Sequence, residues 1–169
     1  MKRNLVLTAV FALFVFALSA SAQKTTDFSG KWTLDVSKSN PAETRIESQT
    51  LTVTQTADSI KVEQDTKVKE DPNAAGGGGG GRPGGGGMGG PATYGITAPI
   101  KSTRQMGQNS VDVSSSAKID GNKATLSTTF TTPQGDRTQT TTWTLNTDGT
   151  LTVESQGRNG SQTRTYKKG

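Results

Sequence analysis

The 169-residue chain contains neither cysteine nor histidine. Without cysteine it can form no disulfide, so its stability has to come from backbone pairing and packing. The same two absences remove the common nucleophile–base pairs and most zinc sites. The carboxylates do not replace them, because they fall mainly on outward faces of the expected strands and no pair is placed for acid–base catalysis. We therefore expect a protein that is not an enzyme, with no catalytic residue, no metal site and no cofactor.

Clustered positive charge is also missing. The formal charge of +5 includes Lys2 and Arg3, and the remaining excess is spread thinly along the chain. A nucleic-acid-binding surface needs clustered cations, ideally with aromatic side chains between them. We expect no nucleic-acid partner.

The first 22 residues have the three parts of an export signal. Lys2 and Arg3 form a basic start, residues 5–18 are an apolar run, and residues 20–22 (Ala-Ser-Ala) form a small-residue cleavage site. The run is shorter than the about 20 residues that span a bilayer. We expect a protein exported to the periplasm or the extracellular space with no stable membrane span; a retained N-terminal anchor is the alternative. Residues 23–169 are then one domain.

One segment is dominated by glycine. Residues 74–92 hold 12 of the 21 glycines of the chain. Such a run offers almost no side chains for packing and behaves as a flexible linker. We expect a disordered insertion between two strands; a mobile flap or a contact strip is the alternative.

Helical periodicity is missing from residues 23–169, and a period of two recurs instead. In residues 50–56 the side chains of Leu51 and Val53 alternate with threonines, and in residues 60–69 Ile60 and Val62 alternate with charged residues. This alternation is typical of an antiparallel strand with one buried and one solvent-exposed face.

Turn signals set the pairing of these strands, because a shift of one residue would move every apolar side chain to the other face. Two-residue turns at 57–58, 121–122 and 134–135 predict the pairs Val53/Val62, Ala117/Leu126 and Leu126/Trp143. A three-residue loop at 147–149 and a two-residue turn at Asn159-Gly160 keep the apolar residues on the same face. The sequence therefore predicts an antiparallel up-and-down meander.

Further strands around 30–36 and 94–104 bring the meander to eight to ten strands. A meander of this length with one apolar face tends to close and so remove its edges. The expected fold class is an all-β barrel; two stacked sheets are the alternative closure.

Two short motifs stand at the ends of the meander: FSGKW at residues 28–32 and TRTY at residues 163–166. Their parity places Trp32 inward on the first strand and places Arg164 and Tyr166 inward on the last. A buried guanidinium is costly unless it finds partners. Since the last strand of a closed barrel pairs with the first, we expect Arg164 to stack on the indole of Trp32.

These motifs resemble the end signatures of the calycins, which include the lipocalins and the fatty-acid-binding proteins. The opening DFSGxWxLDxxKS after an export signal resembles the secreted bacterial lipocalin-like branch in particular. The resemblance implies a calycin-like barrel. Similarity to lipocalins implies that Gly30, Trp32 and Arg164 form a structural clasp. Similarity to fatty-acid-binding proteins implies that Arg164 and Tyr166 bind a ligand carboxylate, but residues 39–44 are too short for the helical lid of that group, which favours the clasp.

The inward positions of the meander mix apolar and polar residues. The polar ones are Gln55, Gln64, Ser115, Thr128, Gln139, Thr141 and Ser155. Such a mixture suits a cavity for an amphipathic ligand, unless these residues lie at the barrel ends in solvent. We expect a small lipophilic or amphipathic ligand in the cell envelope, bound by Arg164, Tyr166 and Trp143. The alternative is a barrel that binds a protein, as a protease inhibitor or an envelope assembly factor, through residues 23–27 or the glycine-rich loop.

Overall fold

A computed structural model describes residues 25–40, 45–69, 91–106, 109–157 and 160–169. The expected export signal at 1–22 and residues 74–90 of the glycine-rich segment lie outside these ranges. The described residues include no helix that is long and apolar enough to cross a membrane. The strands are β1 (Gly30–Asn40), β2 (Ile46–Gln55), β3 (Ser59–Val68), β4 (Ala92–Gly95), β5 (Ile100–Met106), β6 (Asn109–Asp120), β7 (Lys123–Thr132), β8 (Gly135–Leu145), β9 (Leu151–Gly157) and β10 (Gly160–Lys168).

All ten strands belong to one sheet, in the order β4-β3-β2-β1-β10-β9-β8-β7-β6-β5. Every pairing is antiparallel except a parallel bridge between Gly95 and Ser116, which joins β4 to β6. This bridge closes a ring of nine strands, and β5 is bonded along the edge of β6. The expected all-β antiparallel barrel is confirmed, and the alternative of two stacked sheets is not what forms.

The stretch expected as one strand around 94–104 is divided into β4 and β5. The chain turns back after Gly95, and a Cβ at this position would lie 1.8 Å from the carbonyl oxygen of Ala98. Only glycine allows so close an approach of the backbone to itself. The expectation of one continuous strand was wrong because it overlooked this turn, which ends at Ile100.

Two of the predicted residue pairings and the predicted parity of one loop are found. Val53 pairs with Val62 across the turn between β2 and β3, and Ala117 pairs with Leu126 across the turn between β6 and β7. The loop between β8 and β9 has an odd length, as the apolar parity requires, and Gly149 in it has a φ of 78°.

The hairpin between β7 and β8 is displaced by two residues from its predicted register. Leu126 pairs with Thr141 rather than with Trp143. Thr132 pairs with Gly135, so the central turn residues are 133–134, with proline first and glycine directly after the turn. Proline at the second and glycine at the fourth position are typical of a type I turn.

The hairpin between β9 and β10 is displaced in the same way. Arg164 pairs with Val153, and Tyr166 pairs with Leu151. The predicted turn at residues 159–160 is therefore wrong by one position, and residues 158–159 lie outside the described part of the chain. Because both displacements are by two residues, every side chain keeps its predicted face.

The interior of the barrel has two halves. We call the end that carries the turns at 57–58, 121–122 and 146–150 the closed half, because it contains the main core. We call the other end the open half, because inward side chains such as Gln139 are exposed there. The buried members of the main core are Phe28, Trp32, Leu34, Ile46, Leu51, Val53, Ile60, Ala117, Ala124, Leu126, Trp143, Leu151 and Tyr166.

Candidate functional site

The closed half is filled by large aromatic side chains. Trp32 is fully buried, and its indole Nε1 donates a hydrogen bond of 2.9 Å to the carbonyl oxygen of Phe28. The Phe28 ring meets Trp143 edge to face, with 6.2 Å between the ring centroids. The polar tip of the indole is thus satisfied inside the core, as a buried tryptophan requires.

The segment before β1 covers this end of the barrel. The side chain of Gln55 on β2 holds this segment by two hydrogen bonds. Its Oε1 accepts from the backbone N–H of Phe28 (3.0 Å), and its Nε2 donates to the carbonyl oxygen of Thr26 (2.9 Å). The Thr26 hydroxyl in turn donates to the carbonyl oxygen of Gly121. Gln55, one of the polar residues expected inside the barrel, therefore serves to hold the covering segment.

The cation that lies over Trp32 is Lys168, not Arg164. Lys168 pairs directly with Trp32 across β10 and β1, and its Nζ lies 5.3 Å from the centroid of the indole ring. Arg164 is four residues earlier on β10, which places it about 13 Å along the strand. The expected stack of Arg164 on Trp32 is thus corrected by the register: Lys168 occupies that position.

Gly30 makes this arrangement possible. It has a φ of 137°, and a Cβ added there would lie 2.9 Å from Cε of Lys168. The lysine stem therefore passes over a position where a side chain would stand. Because Gly30 has no side chain, the stem of Lys168 at the end of β10 can pass over Gly30, and its ammonium group lies over the indole ring of Trp32.

Tyr166 is buried and begins a chain of hydrogen bonds on the inward face. Its hydroxyl donates to Oε1 of Gln49 at 2.6 Å, and both side chains are no more than 2% exposed. Nε2 of Gln49 donates to the hydroxyl of Thr66 at 2.8 Å. Nε2 of Gln64 donates to the same hydroxyl at 3.1 Å. The chain leads from the core of the closed half to the exposed amide of Gln64 in the open half.

Three arginines occupy inward positions. Directly opposite residues of an antiparallel pair project from the same face of a sheet. Arg104 is opposite the buried Val111, Arg137 is opposite the buried Phe130, and Arg164 is opposite Val153. No aspartate or glutamate holds an inward register position on the ten described strands. The inward charge of the described strands is therefore positive.

A small apolar patch accompanies these cations. Val111, Val113 and Phe130 form a buried cluster that is separate from the main core. The register places it between Arg104 on β5 and Arg137 on β8. The open half thus combines apolar contacts with guanidinium groups at its sides.

The three residues expected to bind ligand lie close together in the sheet. Trp143, Val153 and Arg164 are directly paired across β8, β9 and β10, and Tyr166 follows Arg164 on the same face. Trp143 is 3% exposed and belongs to the core, whereas Arg164 is partly exposed. This row marks the boundary between the two halves.

Arg104 and Arg137 were missed from the sequence. Arg137 has the odd parity of Trp143 and Gln139 on the same strand, so the alternation already indicated an inward side chain. Arg104 could be placed only after the division into β4 and β5 was known. For Arg137, a count of the charged residues on each face of the strand would have been the useful signal.

Comparisons with known proteins give the fold but no close relative. No protein-family model matches the sequence, and no curated protein matches it. Human cRBP IV is similar over 85% of this chain and 99% of its own, with 12% identity and a TM-score of 0.52. The fluorescent protein UnaG is similar over 84% of this chain, in a mutant (96% of that chain, 15% identity, TM-score 0.49) and the wild type (97%, 14%, 0.47). The likeness to human cRBP IV shows a calycin-like β-barrel fold.

Proposed function

We propose that the protein binds a small amphipathic anion inside the open half of the barrel, and that it acts as a binding protein rather than an enzyme. The observation that carries this proposal is the inward charge: Arg104, Arg137 and Arg164 hold inward register positions, and the aspartates and glutamates of the described strands do not. Several guanidinium groups on one inward face favour an anionic partner, because like charges repel one another and an anion forms charge-assisted hydrogen bonds with them.

The apolar patch supplies the second half of the argument. Val111, Val113 and Phe130 are buried among inward polar positions, so an elongated molecule can place its hydrocarbon part on them and its charge on the arginines. Ligand sites commonly combine a mainly apolar lining with few polar groups that fix orientation.

We further propose that the protein is exported and acts in the cell envelope or outside the cell, like the secreted bacterial lipocalin-like proteins that its ends resemble. The basic, apolar and small-residue parts of residues 1–22 support export. The alternative, insertion of residues 23–27 into a partner's cleft, finds less support, because Thr26 is bonded to Gln55 and Gly121 of the barrel.

Calorimetric titration with a long-chain fatty acid and its uncharged alcohol tests the ligand class. We expect the acid to bind, and Arg137→Gln and Arg164→Gln each to weaken its binding about tenfold, which corresponds to about 1.4 kcal/mol. Binding of the alcohol should change little, because it carries no charge. Lys101→Gln, an outward change of the same charge on β5, is the matched control and should leave both affinities unchanged.

Urea unfolding of the same variants separates binding from folding. Arg137 is exposed, so Arg137→Gln should leave the unfolding midpoint near that of the wild type. If the acid does not bind the wild-type protein, or binds with an affinity that neither arginine influences, the proposed function is wrong.

A further inference from the structure

The hydroxyl group of Thr66 on β3 accepts two hydrogen bonds. Nε2 of Gln49 donates to it at 2.8 Å and Nε2 of Gln64 donates to it at 3.1 Å. A threonine hydroxyl has two acceptor lone pairs and one O–H donor. With both lone pairs occupied, Thr66 can take part in further hydrogen bonding only as a donor.

Tyr166 determines the donor and acceptor roles in this series of hydrogen bonds. Its phenol group is 2% exposed and donates to Oε1 of Gln49. The amide of Gln49 therefore turns its oxygen toward Tyr166 and its nitrogen toward Thr66. An amide carries distinct donor and acceptor ends, so Gln49 cannot accept the proton of Thr66 in this arrangement.

The O–H of Thr66 is thus a donor that no described residue accepts, and because the side chain is partly exposed, solvent reaches it. Thr66 pairs directly with Gln49, which is 1% exposed, so its side chain lies on the inward face. On the ring of nine strands, β3 stands opposite β8, which contributes Arg137. The donor therefore faces the interior from the wall opposite that cation.

We infer that the ligand carries a hydrogen-bond acceptor oxygen apart from its anionic group, and that Thr66 donates to this oxygen. The ligand class is an oxygenated amphipathic anion, such as a keto fatty acid, rather than a plain fatty acid. This inference rests on the proposed function, because the anionic group is held by the arginines. Thr66 then determines specificity, since a ligand that covers this hydroxyl displaces solvent from it and binds more tightly if it offers an acceptor oxygen in return.

The test compares octadecanoate with a series of oxo-octadecanoates that differ in the position of the keto group, by calorimetric titration. We expect one or two positions to bind the wild-type protein about threefold to tenfold more tightly than octadecanoate, the range for one neutral hydrogen bond. Thr66→Val keeps the branched shape but removes the O–H, and should abolish this preference. Thr66→Ser keeps the O–H and should preserve it.

Thr128→Val is the matched control. Thr128 is an inward threonine on β7 whose hydroxyl lies 3.5 Å from the Ser115 hydroxyl, and it takes no part in the hydrogen bonds that join Tyr166, Gln49 and Thr66. This variant should keep the preference for the keto acid. An unchanged affinity of Thr66→Val for octadecanoate shows that the barrel is intact even though Gln49 has lost its acceptor.

The outcomes are distinct. Equal binding of all the acids by the wild-type protein, or a preference that survives Thr66→Val, overturns the inference but not the proposed function. Because the wild-type comparison needs no variant, equal binding of all the acids overturns the inference even if Thr66→Val fails to fold. If the wild-type protein binds none of the acids, both the proposed function and this inference are overturned.

Discussion

The two halves of the barrel are built from the same strands but differ in what their inward side chains contact. In the closed half, Trp32, Phe28 and Trp143 pack on one another, and the indole of Trp32 is bonded within the core. In the open half, inward glutamines and arginines stand beside a patch of three apolar residues. One end of the meander therefore carries the packing that stabilises the fold, and the other end is available for a ligand.

The difference shows how a chain without cysteine supports an accessible interior. Apolar burial contributes to stability roughly in proportion to area, and here it is concentrated at one end. Inward polar groups in the other half do not have to be satisfied by a close-packed core, because solvent or a ligand reaches them. A site that faces a rigid wall of this kind is held in place by the strands themselves.

The largest expected effect is on the free energy of unfolding, and it distinguishes a core residue from an inward residue of the open half. Trp32 is fully buried, so we expect Trp32→Ala to lower the free energy of unfolding by about 3–5 kcal/mol. Arg137 is exposed, so Arg137→Ala should change it by no more than about 0.5 kcal/mol. Urea unfolding followed by far-UV circular dichroism measures both. Effects of similar size would mean that the open half is packed as tightly as the closed half.

A smaller effect concerns Gly30, which lets β10 lie over Trp32. Its φ of 137° is a region that other residues rarely adopt, and we expect Gly30→Ala to lower the free energy of unfolding by about 2–3 kcal/mol. Gly121→Ala is the control: its φ is 56° and no heavy atom lies within 4 Å of an added Cβ, so about 1 kcal/mol is expected.

Adding Lys168→Ala to Gly30→Ala separates strain from contact. The double variant removes the stem that lies 2.9 Å from the added Cβ but leaves the backbone conformation unchanged. We expect it to recover only part of the lost stability. Full recovery would show that the contact with Lys168, rather than the φ angle, is what requires glycine.

The faces of the strands could be predicted from the sequence, whereas two of the registers could not. Alternation specifies which side chains point inward, and a slip of two residues leaves that pattern intact. The hairpins before Trp143 and before Arg164 were misplaced by that amount. Pro133 held the information for the first, because proline favours the second position of a turn.

The same ambiguity of register explains why Arg164 rather than Lys168 was predicted to lie over Trp32. Both Arg164 and Lys168 have inward parity, so the pattern alone could not decide which of them lies opposite Trp32. The pairing of β10 with β1 decides it, and this contact joins the two ends of the chain. The bond from Tyr166 to Gln49 depends in the same way on closure of the barrel, which places β10 two strands from β2.

The smallest expected effect is a pH dependence at the boundary of the two halves. Asp35 is the last residue of β1 before its register with β10 shifts. Hydrogen bonds from the Ser37 side chain, and then the nearby Lys167 ammonium, lower the pKa of Asp35 from 3.8 to about 2. Because the pKa is lowered in the folded state, the stabilisation is present above about pH 4 and is lost as the pH falls toward 2.

Asp35→Asn should therefore flatten the acid side of the curve of urea midpoint against pH, by a small amount because the site is at the surface. Ser37→Ala should flatten it more than Lys167→Met, since the serine is the larger cause. The reverse order would show that the Lys167 ion pair, at 2.9 Å, is what holds β1 against β10 at this point.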